Sequence, residues 1–199
     1  MEHLVIATNN KNKKRELEEL LKDLKIEVLT LSDLDMHLPH VIEDGRTFRQ
    51  NAVKKAITFS RYIKEMILAD DSGLVVDALG GKPGVRSSRF AHTKATDGEN
   101  NSKLLALMKH VPAKERQANF VCVLAIAKNG TLLGVSKGEC SGTIGFEAKG
   151  ENGFGYDPVF TPNGYNLTFA QLKPSFKNRI SHRGQALRKA RSIIEKYIE

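Results

Sequence analysis

Two apolar runs, ANFVCVLAIAK at 118–128 and TLLGVSKGEC at 131–140, are separated only by Asn129 and Gly130. An Asn-Gly pair between such runs is the strongest short-range hairpin signal, because both turn positions need positive φ. The chain therefore contains an antiparallel pair. Its first third reads differently. HLVIAT (3–8) and IEVLTL (26–31) read as strands, and KKRELEELLKDL (13–24) puts Leu17, Leu20, Leu21 and Leu24 on one helical face. Strands alternating with helices imply parallel pairing. Both signals in one chain predict an α/β fold with a mixed, twisted sheet and flanking helices.

The rest of the chain fits that frame. Residues 32–46 read as loop, and Thr47 with Gln50 forms a capping box that opens a helix. Phe48, Ala52, Ala56, Phe59 and Ile63 supply its apolar stripe. MILAD (66–70) reads as a strand, followed by a loop in which Gly80, Gly81, Pro83 and Gly84 exclude regular structure. Thr96 and Glu99 form a second capping box, opening a helix to about His110. The last helix begins near Ser181. At 199 residues with 40% hydrophobic content, the chain is long and apolar enough for one large α/β domain or two small lobes sharing a sheet.

Composition narrows the function classes. No apolar stretch approaches the roughly 18 residues of a membrane span, and MEHLVIATNN reads as a first strand, not a signal peptide. Cys122 and Cys140 lack CxxC spacing, which argues against zinc and fits a reducing, cytoplasmic compartment. A net charge of +8 favours anionic partners such as nucleotides, nucleic acid or phosphorylated metabolites, unless it serves only solubility. No nucleic-acid-binding motif accompanies it, so no stable nucleic-acid partner is expected.

Three stretches carry candidate chemistry. In ATNNKNKKRE (7–16), Lys13, Lys14 and Arg15 fall in or near the first turn of a helix. Cations there oppose the helix dipole, so stability alone would prefer acids. Thr8, the asparagines, free backbone N–H groups and a lysine would make an anion site. The same violation recurs in FKNRISHRGQ (176–185), where His182 and Arg183 follow Ser181. One phosphate-rich ligand would account for both. The second stretch is LADDSGL, where Asp70 and Asp71 end an apolar run. Neighbours in a strand face opposite ways, so the two carboxylates are not twins. With Glu43 from another loop they offer hard oxygen ligands for Mg²⁺; a solvated turn or a cap would explain a lone pair equally well. The third is GFGYDP (153–158), where Phe154 and Tyr156 sit among glycines before Asp157. Either an aromatic stacks on a base there, or the segment is a tight turn with a core ring.

Taken together, ATNNKNK, EDGRTFRQNAVKKA, ADDSGL, LGGKPGVRSSRF, GENGFGYDP and KNRISHRGQAL occur in an order that resembles the inosine triphosphate pyrophosphatase family, also called Ham1-like or dITP/XTP pyrophosphatases. The resemblance spans essentially the whole chain. It implies one elongated α/β domain over 1–199, with two lobes around a nucleotide cleft, usually a homodimer. It also implies Mg²⁺-dependent hydrolysis of purine nucleoside triphosphates such as ITP, dITP and XTP to the monophosphate and pyrophosphate. Residue by residue, the stretch Thr8, Asn9, Asn10, Lys11, Asn12 and Lys13 resembles the triphosphate loop. Asp71 resembles the catalytic aspartate and a metal ligand, joined by Glu43 and assisted by Asp70. Ser72 resembles a substrate contact, and Asn51 and Lys55 support the acidic centre and the phosphates. Phe154, Gly155, Tyr156 and Asp157 resemble the base-recognition segment, Lys177 another nucleotide contact, and His182 and Arg183 the base-reading pair. One departure is the stretch AQLKPSFKN, which lacks the acids that often precede KN-x-ISHR.

Overall fold

The structure is a computed structural model describing residues 3–24 and 26–197. Among these residues the strands form one six-stranded sheet in the order β2-β1-β3-β4-β5-β6. β1 (His3–Ile6) is flanked by β2 (Glu27–Thr30) and β3 (Met66–Val76), both parallel to it. β4 (Gln117–Lys128) and β5 (Thr131–Ile144) are joined by the two-residue turn, where Asn129 has φ 51° and Gly130 φ 74°. Neighbouring strands joined by so short a turn run antiparallel. β6 (Phe160–Pro162) pairs antiparallel with β5. The sheet is mixed, as the sequence predicts.

Contacts divide the chain into two compact units. The first comprises Met1–Asp71, Cys122–Gly138 and Arg183–Glu199; the second comprises Ser72–Val121 and Glu139–His182.

In the first unit β1 and the adjoining parts of β3 and β4 are buried on both faces, and side-chain parity sorts the core. Leu4, Ile6, Met66, Leu68, Leu124 and Ile126 join Leu17 and Leu21 of α1 (Lys11–Leu21) and Leu187 and Ile194 of the last helix. Val5, Ile67, Ala69, Val123 and Ala125 join Ala52, Ala56 and Phe59 of α2 (Phe48–Phe59). Residues of one parity thus meet α1 and the last helix, and those of the other meet α2.

In the second unit, α3 (Asp97–Leu107) contributes Leu104 to a cluster with Leu74, Val76, Phe120, Tyr156, Phe160 and Phe169. Arg116 is buried there, donating to the carbonyls of Met108, Ile144 and Gly145. Buried guanidinium donors are satisfied by carbonyl acceptors in place of water.

Both capping boxes form as expected, Thr47 with Gln50 and Thr96 with Glu99. Three expectations change. The strand holding the aspartates does not end at residue 70 but continues to Val76. Gly84–Arg89 forms a 3₁₀ helix within the expected loop. A short α4 (Pro174–Ile180) precedes α5 (His182–Glu195), with Ser181 extended between them. No helix among the described residues is long and apolar enough to cross a membrane.

Candidate active site

The parity that sorts the core also separates the two aspartates. Asp70 follows Met66 and Leu68 toward α1 and α5. Its side chain is fully enclosed, and it accepts from Arg183 Nε at 3.0 Å and from the Cys122 thiol at 3.2 Å. Lys13 Nζ bonds its other oxygen. Arg183 in turn reaches Glu16, itself buried. Burial disfavours charge on Asp70, but the Arg183 guanidinium and the Lys13 ammonium outweigh it and hold the carboxyl well below the usual range. Asp70, expected to assist at a metal, is the counter-ion of a buried cation cluster. Arg183, expected in the base-reading pair, is 1% exposed and bonds the carboxylates of Asp70 and Glu16.

Asp71 follows Ile67 and Ala69 toward α2. Its Oδ2 accepts from Asn51 Nδ2 at 3.0 Å. One turn along α2, Lys55 Nζ donates to Glu43 Oε1 at 2.7 Å and to the Asp70 carbonyl at 2.6 Å. The Thr47 capping box fixes where α2 begins and hence where Asn51 and Lys55 point. Asn51 Oδ1 also accepts from Gly45 N–H at 2.8 Å, tying the Glu43 loop to this helix. Burial pushes Asp71 up to about 6, with repulsion from Glu43 adding and Lys55, Lys13 and Asn51 opposing. The result is a buried carboxylate able to hold a proton near neutrality, beside a second, half-exposed carboxylate.

The stretch after β1 is ordered by its own side chains. Thr8 Oγ1 accepts from Asn10 N–H at 3.1 Å, and Asn10 Oδ1 caps α1 through the N–H groups of Asn12 and Lys13. The first turn of α1 holds no acid. Asn9, Asn10 and Lys11 are exposed, while Thr8, Asn12 and Lys13 are half-buried. Ser72 continues β3, also half-buried.

In the second unit, the segment 153–157 is a clamped loop. Asp157 is buried, and its Oδ2 accepts from Phe154 N–H at 2.8 Å and from Lys177 Nζ at 2.6 Å. A side chain at Gly153 would meet that oxygen at 2.0 Å, which explains the glycine. The Lys177 ammonium lies 4.8 Å from the centre of the Phe154 ring, a cation–π contact. His182 stacks on Phe120 with centroids 4.7 Å apart. Two residues of the expected base-recognition segment turn inward here. Tyr156 is a core ring whose hydroxyl donates to the Ser87 carbonyl at 2.8 Å, and Asp157 anchors the loop from inside. Of the expected aromatic pair, Phe154 alone keeps substantial exposed surface.

Sequence reasoning missed Glu16, Cys122, Asp97 and Asn101 as members of these networks. A signal for Glu16 existed. Lys13 lies four residues before Leu17 and Glu16 four before Leu20, so charges share a face with the apolar stripe. Such charges are buried only when paired.

Comparison with known proteins bears on the chain as a whole. The model of the Ham1 family matches residues 4–193. A dITP/XTP pyrophosphatase of Desulforamulus reducens is 49% identical over 97% of this chain and 96% of its own. One from Clostridium tetani is 44% identical over 100% of this chain and 99% of its own. Among solved structures, a HAM1 protein from Coxiella burnetii superposes with a TM-score of 0.88 at 39% identity, covering 98% of this chain and 100% of that one. The Staphylococcus aureus Ham1 protein gives 0.84 at 36% identity, over 99% and 100%. A shared fold, a family match over residues 4–193 and shared sequence along nearly the whole length lead to one conclusion: the chain belongs to the Ham1 family.

Proposed function

We propose that this protein hydrolyses non-standard purine nucleoside triphosphates, among them ITP, dITP and XTP, releasing the monophosphate and pyrophosphate. The observation that carries the chemistry is the separation of Asp71 from Asp70. One carboxylate is neutralised inside the fold, while its neighbour is left poised near pH 6. The substrate class is supported by the relatives, which are named dITP/XTP pyrophosphatases.

In this reading a water attacks the α-phosphorus. Its oxygen forms the new P–O bond, the bond to the bridging oxygen breaks, and pyrophosphate leaves. Asp71 orients the water and accepts its proton, a task suited to a base with pKa near the working pH. Asn51 holds the carboxylate in place. Lys55, Lys13 and the positive end of the α1 dipole offset the charge of the phosphates. Phe154 supplies a face for the purine, with His182 and Lys177 completing recognition. A site that donates to a 6-oxo group leaves adenine badly paired, so ATP is rejected strongly.

The donor set fits Mg²⁺. Asp71 and Glu43 offer hard oxygens, near enough that the charge of Glu43 acts on Asp71, although burial is the main cause of its raised pKa. These two would hold the ion with substrate oxygens, and a bound ion would neutralise charge on the phosphates. The test is pyrophosphate release from ITP, XTP, dITP, ATP and GTP, with and without Mg²⁺. Higher kcat/KM for the first three is expected; equal efficiency across all five would refute the assignment.

A further inference from the structure

We propose that Asp97 and Asn101 of α3 are positioning residues for base selection. They hold the Gly155 peptide, and through it the adjoining Phe154 ring, in the orientation that separates one purine from another. The inference rests on the reading above, that the Phe154 ring faces the base.

Asp97 and Asn101 lie four apart and so share one side of α3. Asp97 Oδ2 accepts from Gly155 N–H at 2.7 Å, and Asn101 Nδ2 donates to the Gly155 carbonyl at 2.8 Å. Both polar groups of one loop residue are thus taken by side chains more than 50 positions away. The neighbours are fixed as well: Phe154 N–H by Asp157, Tyr156 by Ser87, and Asp157 by Lys177. What remains half-exposed is the Phe154 ring, carried on a backbone held from both sides. Recognition groups work best when their supporting shell fixes them to within a fraction of an ångström.

Asn101 gives an independent pointer. It is 8% exposed, and its Oδ1 has no hydrogen-bond partner among the described residues. A buried acceptor left unsatisfied works against stability. The amide is oriented for the Gly155 carbonyl at the expense of its own oxygen, as expected of a side chain that serves the loop more than the helix.

The test compares Asp97→Ala, Asn101→Ala and the conservative Asp97→Asn, which retains an acceptor. The readout is the ratio of kcat/KM for ITP to that for GTP, with KM and kcat resolved separately. Asp97→Ala and Asn101→Ala should each lower the ratio about tenfold, mainly through KM for ITP, because small misplacements degrade discrimination. Asp97→Asn should stay within about twofold of the parent, since the Gly155 N–H keeps its partner. Hydrogen exchange of the 153–157 peptide should quicken in both alanine variants. If Asp97→Ala does not fold, Asn101→Ala carries the test, because it lies within the helix and has no part in its start. A ratio unchanged in Asn101→Ala, or one equally reduced in Asp97→Asn and Asp97→Ala, overturns the proposal. Failure of the parent enzyme to release pyrophosphate from ITP, XTP or dITP removes the underlying reading instead, and the parent alone reveals that.

Discussion

Adjacent aspartates with opposite environments should respond oppositely to the same substitution. Removing charge at Asp70 strands Arg183 and Lys13, and breaking a buried ion pair from one side costs about 3–5 kcal/mol. Asp70→Asn should therefore lower the urea midpoint sharply. Asp71→Asn should do the reverse while cutting kcat by about 10²–10⁴-fold, the usual contribution of a general base. A carboxyl whose folded pKa lies above its unfolded value binds its proton more tightly when folded. Its stabilising effect is complete below pH 3.8 and disappears as pH rises through about 6. Above that pH the ionised Asp71 is a liability that asparagine lacks. In metal-free buffer at pH 7.5, Asp71→Asn should exceed the parent in stability by about 2–3 kcal/mol, at roughly 1.4 kcal/mol per pKa unit. The two should converge near pH 3.5. An Asp71→Asn variant that unfolds earlier than the parent at pH 7.5 would contradict this.

Helix starts carry the next level of organisation. Glu99 accepts from the backbone and hydroxyl of Thr96 and from His92, which together hold it down to about 2. Here the folded pKa is depressed, so the stabilisation is present above the unfolded value of 4.5 and is lost as pH falls through about 2. Glu99→Gln keeps an acceptor but cannot titrate, so acid unfolding followed by circular dichroism should lose part of its slope between those limits. Both capping boxes were legible because the whole signal lies within four residues, and so was the Asn129-Gly130 turn. The extent of β3 was not. Two aspartates look like a strand's end until the partners that neutralise Asp70 are known, and Lys13 and Arg183 stand 57 and 113 positions away. Helix α4 was missed although Pro174 occupies its first position, a favoured start. Its seven residues show too little periodicity to register. In the candidate site, Asp71 and Glu43 are expected from chemistry and motif order, and their place in the reaction is a proposal. The inward turns of Tyr156, Asp157 and Arg183 depend on packing that composition does not encode.

For the molecule as a whole, the buried charges among the described residues cancel, four basic against Glu16, Asp70, Asp71 and Asp157, so the charge of +8 lies where a partner can meet it. Lys55, Lys177, Arg116 and Arg183 are buried and engaged within the fold. Duplex binding would draw on the exposed charge alone and would weaken steeply with salt. A gel shift at physiological ionic strength should show no discrete complex under conditions where pyrophosphate release continues; a stable complex without turnover would favour a nucleic-acid role. Magnesium should raise the melting temperature of the parent and leave that of Asp71→Asn unmoved, since binding to the folded state alone stabilises it.

Cys122 offers a way to watch the first unit from within. Its thiol is sealed beside Asp70, and burial with that neighbouring negative charge pushes its pKa up, so the nucleophilic thiolate is scarce. A maleimide added to the native protein should leave it unmodified and capture it only during transient excursions from the closed state. The rate of adduct formation, read by mass spectrometry, then becomes a stopwatch for how often the ion cluster comes apart.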